Sequence, residues 1–133
     1  MLPFAVGILL AIVLAFGAKL TGAEKDRSFF PTLMIVIATY YVLFAVMAGQ
    51  GIVSEILIAA LFSLAGMWGA QRMPLLVGSA IFLHGVFDFV RPFFLANHGA
   101  PDWWPGFCGS VDIPLGAWVM WFSLRSTQPK NSA

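Results

Sequence analysis

The chain has 133 residues, of which 60% are hydrophobic and 10% charged, and its mean hydropathy is +0.90. A soluble domain carries about 25% charged residues, and a fold of this size has too little interior to hide so much apolar surface; lipid is therefore the solvent for most of the chain. A formal net charge of +1 offers no basic face to nucleic acid, and a single cysteine excludes an internal disulfide.

Five apolar segments follow in chain order: Leu2 to about Leu20, Pro31 to Gly49, Ile52 to Ala70, Pro74 to Ala96, and Ser110 to about Leu124. A helix needs roughly 20 apolar residues to cross the hydrocarbon core. The first four segments meet that length; the fifth is short and implies local thinning of the bilayer or snorkelling. Pro3, Pro31, Pro74 and Pro114 fall in or next to expected first helical turns, where a missing N–H costs little. Gly49 and Gly51 mark a tight turn. The first segment has no lysine or arginine ahead of its apolar run, so it reads as a retained helix rather than a signal peptide. The expected fold class is all-α, a polytopic membrane helix bundle of about five transmembrane helices. Residues 1–125 form one transmembrane domain and 126–133 a polar cytoplasmic tail. Gly7, Ala11 and Ala15, and Ala65 with Gly69, are small residues four apart that allow close helix contact.

In this five-helix topology Lys19, Lys25, Arg27, Arg72, Arg125 and Lys130 share one side, and the opposite loops hold no lysine or arginine. The positive-inside rule puts the basic side in the cytoplasm of a plasma (inner) membrane, with the N-terminus outside and the C-terminus inside.

Apart from Glu24 and Asp26, which lie with the basic residues, the remaining side-chain His, Asp, Glu, Arg and Cys groups gather toward the outer half. His84, Asp88 and Arg91 lie on the fourth segment, Glu55 near the start of the third, and Asp112 in the first turn of the fifth. His98, Asp102 and Cys108 sit in the loop between the fourth and fifth. Intramembrane charges usually face a bundle interior or a wet cavity, so His84, Asp88, Arg91 and Asp112 are expected to line one outward-facing pocket and to be its catalytic candidates. His84 and Asp88, four apart, share a helix face; the pair orients an imidazole for metal or proton chemistry, or forms a buried hydrogen bond that fixes packing. Asp88 and Arg91, three apart, form an ion pair, or leave Arg91 to bind an anionic headgroup or a carboxylate. Asp112 reads as an acid favouring a helix N-terminus. The candidate metal ligands are His84, Asp88 and His98, completed by Asp102 or Asp112, a set that suits a divalent transition metal. Cys108 is a further candidate ligand, but a single cysteine in a glycine-flanked loop reads first as packing. The stretch APDWWPGFCGS is an interfacial anchor or a lid over the pocket. One of Tyr40 and Tyr41 should face the bundle, because a buried hydroxyl needs a partner.

The run His84-Gly85-x-x-Asp88, then Gly99-x-Pro101-x-Trp103-Trp104-Pro105-x-Phe107-Cys108, then Asp112-x-x-Leu115-Gly116-x-Trp118, resembles a family of small bacterial integral membrane proteins. The resemblance covers about the last third of the chain and implies no particular activity.

The favoured expectation is a metal-binding membrane enzyme, or a binding protein for an amphiphilic molecule. Two alternatives stand beside it. A proton-coupled transporter component would use Glu55, Asp88 and Asp112 as a relay, with Arg91 as counter-ion. In an accessory subunit of a homo- or hetero-oligomeric membrane complex, the polar cluster would only organise packing.

Overall fold

A computed structural model describes residues 1–127; most of the expected tail, with Lys130, lies outside the described residues. Five α-helices make up the fold: α1 (Leu2–Thr21), α2 (Phe29–Ala48), α3 (Ile52–Arg72), α4 (Pro74–Val90) and α5 (Trp104–Ser126). All five are long and apolar enough to cross a membrane once α4 is extended through a short 3-10 turn, Arg91–Phe93. The chain is a multi-pass membrane helix bundle.

Each helix is apolar around its whole circumference, so burial is decided by residue size and polarity. Leu9, Val13 and Phe16 of α1 and Leu57, Leu61 and Leu64 of α3 are exposed, whereas Glu55, His84, Asp88, Arg91 and Asp112 are each at most 4% exposed. This inverts the pattern of a soluble protein and is what a lipid solvent demands.

The packing order follows from the contacts. α4 is central, touching α3, α2 and α5, and α1 packs on the far side of α5. Gly7, Ala11, Ala15 and Ala18 form the buried face of α1. A Cβ at Gly7 would lie 2.6 Å from the Phe107 carbonyl oxygen on α5. The tightest seam is between α4 and α5. Gly78 and Gly85 lie seven apart, as do Gly109 and Gly116, and seven residues return to nearly the same face of a helix. At Gly85 a Cβ would stand 2.8 Å from the Asp112 Cβ, at Gly109 2.6 Å from the Phe89 ring, and at Gly78 2.6 Å from the Met120 nitrogen. These small residues let the two backbones close in, as lipid-embedded helices require.

Helix ends depart from expectation in two places. α4 stops at Val90 instead of Ala96, because Pro92 has no N–H to continue the ladder and the chain tightens into the 3-10 turn. α5 begins at Trp104 instead of Ser110 and runs 23 residues, so it is not a short span. Pro105 in its first turn starts it, and Gly106 and Gly109 are helical contacts rather than turn residues. Pro114 is then inside the helix, where the Ser110 carbonyl loses its usual donor. At the other end of the bundle, Asp26 accepts hydrogen bonds from the Ser28 N–H (2.8 Å) and hydroxyl (2.7 Å) ahead of α2. Those bonds hold its carboxyl below the ordinary carboxylate range.

The seam yields a stability prediction. Gly116→Val would drive its Cβ into the Phe82 backbone on α4, whereas a Cβ at Gly17 meets nothing within 4 Å. Gly116→Val should destabilise by about 1–3 kcal/mol or more, and Gly17→Ala should be neutral or slightly stabilising. Unfolding of the purified protein in mixed micelles by a denaturing detergent measures both.

Candidate metal centre and its neighbouring ion pair

The close approach of α4 and α5 sets two pairs of side chains against one another. His84 and Asp88 are four apart on α4, and Cys108 and Asp112 are four apart on α5. Each pair occupies one face over one helical turn. One donor atom from each of the four residues lies within 4.8 Å of the other three, and all four residues are buried.

Within the group, His84 Nδ1 is 2.8 Å from Asp112 Oδ2 and 3.5 Å from Asp88 Oδ2. The Cys108 thiol is 3.7 Å from Asp112 Oδ2. The His84 ring is wedged edge-on against Phe62 at 4.8 Å, which fixes its plane. Both oxygens of Asp88, and Asp112 Oδ1, have no hydrogen-bonding partner among the described residues. Tyr41 is the tyrosine that faces the bundle, while Tyr40 is half-exposed. The Tyr41 hydroxyl is buried without a hydrogen-bonding partner among the described residues, and its ring lies 6.4 Å from the His84 ring.

Arg91 does not pair with Asp88 across three residues. It donates through Nη2 to Glu55 Oε1 on α3, because the chain turns away from the α4 axis at Pro92. The guanidinium also sits over the Tyr41 ring, 4.0 Å from its centroid. His98 shares the same acceptor, with Nδ1 2.9 Å from Glu55 Oε1. Two distinct clusters result. One is acidic and holds His84, Asp88, Cys108 and Asp112; the other is a charge-paired set of Glu55, Arg91 and His98.

The expected ligand set is thereby redistributed. His84, Asp88 and Asp112 come together. His98 lies in the Glu55–Arg91 set, outside the group of four, and the structure puts Cys108 there instead. Asp102 lines a separate cavity near Arg91. Asp112 is the ninth residue of α5, too deep for the N-terminal role expected of it. Cys108, read first as packing and only second as a ligand, falls in an expected loop because of the Pro-Gly and Cys-Gly pairs. Its signal was present all the same: Cys-x-x-x-Asp repeats the spacing of His-x-x-x-Asp.

The ion pair gives a further prediction. Glu55→Ala strands a buried guanidinium, and loss of one partner of a buried pair costs about 3–5 kcal/mol. Glu55→Gln with Arg91→Gln removes both charges and should recover most of that loss. The yield of folded protein after detergent extraction, followed by denaturing-detergent titration, separates the two.

Comparison of the chain with protein-family models, curated proteins and solved structures returns no match, so the chemistry of these side chains alone carries the functional reading.

Proposed function

We propose that this membrane protein binds one divalent transition metal ion through His84, Asp88, Cys108 and Asp112. The observation that carries the reading is the set of three carboxylate oxygens, on Asp88 and Asp112, that are buried without partners beside an imidazole and a thiol. A buried unpaired carboxylate costs several kcal/mol at least. Arg91 donates to Glu55 and is hydrogen-bonded to neither aspartate. Before Cys108 is deprotonated, the two carboxylates and the neutral imidazole carry two negative charges, which a divalent ion cancels; Cys108 would then bind as the thiolate and release its proton. The mixed nitrogen, oxygen and sulfur donors suit zinc, iron, cobalt or copper better than calcium or magnesium. Ligands projecting from facing helices into a bundle core are a recognised way to build such a site.

A bound ion would act as a Lewis acid or hold a reactive water. This chain's own contribution is to present His84 in a fixed ring plane and to exclude bulk water. The same unpartnered oxygens would also accept protons, and a metal-free protein would favour the proton-coupled reading over the enzymatic one.

The bundle has a basic end, and the site belongs to the other. Lys25 and Arg27, ahead of α2, line one cavity with Ser126 and Thr127 at the end of α5; Lys19 and Arg125 line a second nearby. Arg72 ends α3 on the same side. The positive-inside rule makes that end cytoplasmic, so the metal centre lies toward the outer face of a plasma membrane. Trp103 and Trp104 are at the outer end, in an aromatic cluster with Tyr40, Phe44 and Phe107. Such rings suit the headgroup level and an amphiphilic partner arriving there.

Elemental analysis of protein purified without chelator should find about one transition-metal ion per chain. His84→Gln keeps a polar side chain of similar size and should lower metal content at least tenfold while the protein still accumulates. Acidification should release the metal, since each ligand binds in its deprotonated form. A metal-free wild-type protein that cannot be loaded would sink the reading. The orientation has its own check: with Cys108 buried, Lys25→Cys should resist a membrane-impermeant thiol reagent in intact cells and react after permeabilisation.

A further inference from the structure

The end of the bundle that carries the metal centre also holds a separate cavity of about 220 Å³, lined by Tyr41, Arg91, Pro92, Ala100, Asp102 and Pro105 among others. We propose that it binds a small monocarboxylate, with the carboxylate held by Arg91. This site is distinct from the four metal-ligand side chains, and the proposal does not rest on the metal reading.

Three observations meet here. First, Arg91 is 4% exposed, and its Nη1 is buried with no partner among the described residues. Its Nη2 is taken by Glu55 and its face by Tyr41. The guanidinium is thus tied to Glu55 and Tyr41 with Nη1 left without an acceptor, and a carboxylate oxygen that reaches it from the cavity would give a charge-assisted bond. Second, the walls are stiff. Pro92, Pro101 and Pro105 all line the cavity. The Asn97 side chain closes the loop on Ala100 from both ends, donating to its carbonyl at 2.8 Å and accepting from its N–H at 2.9 Å. A preformed wall lowers the ordering cost of binding. Third, size and charge limit the ligand. Sites for drug-sized molecules run from about 300 Å³ upward, so this one fits a molecule of a few carbons. Asp102 places a second carboxylate on the lining, and it opposes a dianion while tolerating a monoanion. The Asn97 amide is committed at both ends, so Arg91 is the cationic group that the lining offers.

The other cavities carry less. The larger one at the basic end has Glu24 beside Lys25 and Arg27, and its cationic groups are on exposed residues.

The test uses the whole protein in neutral detergent, titrated calorimetrically with sodium propionate and, in parallel, with inorganic phosphate near neutral pH. Saturable propionate binding is expected, at least tenfold tighter than phosphate. Ala100→Leu fills the cavity and leaves the ion pair untouched; it should weaken propionate binding at least tenfold. The double substitution Glu55→Gln and Arg91→Gln keeps two polar side chains without the charge and should abolish it. Asp102→Asn, at an exposed position, should narrow the gap between propionate and phosphate, and this variant serves if the other two fail to fold. Metal content measured on the same samples should not change, which separates this site from the metal centre. The proposal falls if wild-type protein shows no saturable propionate binding, if phosphate binds more tightly, or if no folded variant alters the binding.

Discussion

The site depends on one contact, the approach of Gly85 on α4 to Asp112 on α5. With any side chain at position 85, a Cβ would collide with the Asp112 Cβ at 2.8 Å and with the Ile113 nitrogen at 3.0 Å. The backbones would have to separate, and His84, adjacent in the chain to Gly85, would move away from its 2.8 Å contact with Asp112. Packing and chemistry are therefore one constraint here. The glycines that let two lipid-embedded helices touch also set the distance between their polar side chains. A general loosening of the bundle would act first on the His84–Asp112 distance, because that pair bridges the seam directly.

Charge accounting divides the polar interior in two. Glu55 and Arg91 cancel, with His98 a further partner for the glutamate. That pair cancels its own charge inside lipid and fastens α3 to the end of α4, although Glu55 Oε2 and Arg91 Nη1 have no hydrogen-bonding partner among the described residues. The His84, Asp88 and Asp112 group does not close. An imidazole offers at most one positive charge against two carboxylates, so protons or a cation must supply the balance. One carboxylate is enough to satisfy one imidazole nitrogen, so the second aspartate is the feature that supports the proposed metal site over a purely structural cluster.

The five-helix architecture is legible in the sequence because hydrophobic length is a direct requirement of the bilayer. Grouping His84, Asp88 and Asp112 also follows from cost: charges that cannot face lipid must face one another. What escapes is whatever depends on local backbone choice. Trp104 to Gly109 reads as a loop by its proline and glycines, yet it forms the first turns of α5. In lipid an unsatisfied backbone costs more than glycine's helix penalty of about 1 kcal/mol. That error moved Asp112 to a helix start and left Cys108 as only a secondary ligand candidate. The partner of Arg91 escapes for a different reason. Spacing along one helix favours Asp88, but Pro92 ends α4 just past Arg91 and the side chain reaches α3 instead. No pattern within a single helix reports a contact between helices.

Tyr41 links the two halves of this interior. Its ring carries the Arg91 guanidinium, forms part of the cavity wall and lies 6.4 Å from the His84 ring. One aromatic side chain thus stands between the charge-paired cluster and the acidic one. The ring comes from α2, so the packing of α2 against α4 fixes where the guanidinium lies while it donates to Glu55 on α3. The stacking adds an attraction to that ion pair without adding a charge to the bundle interior.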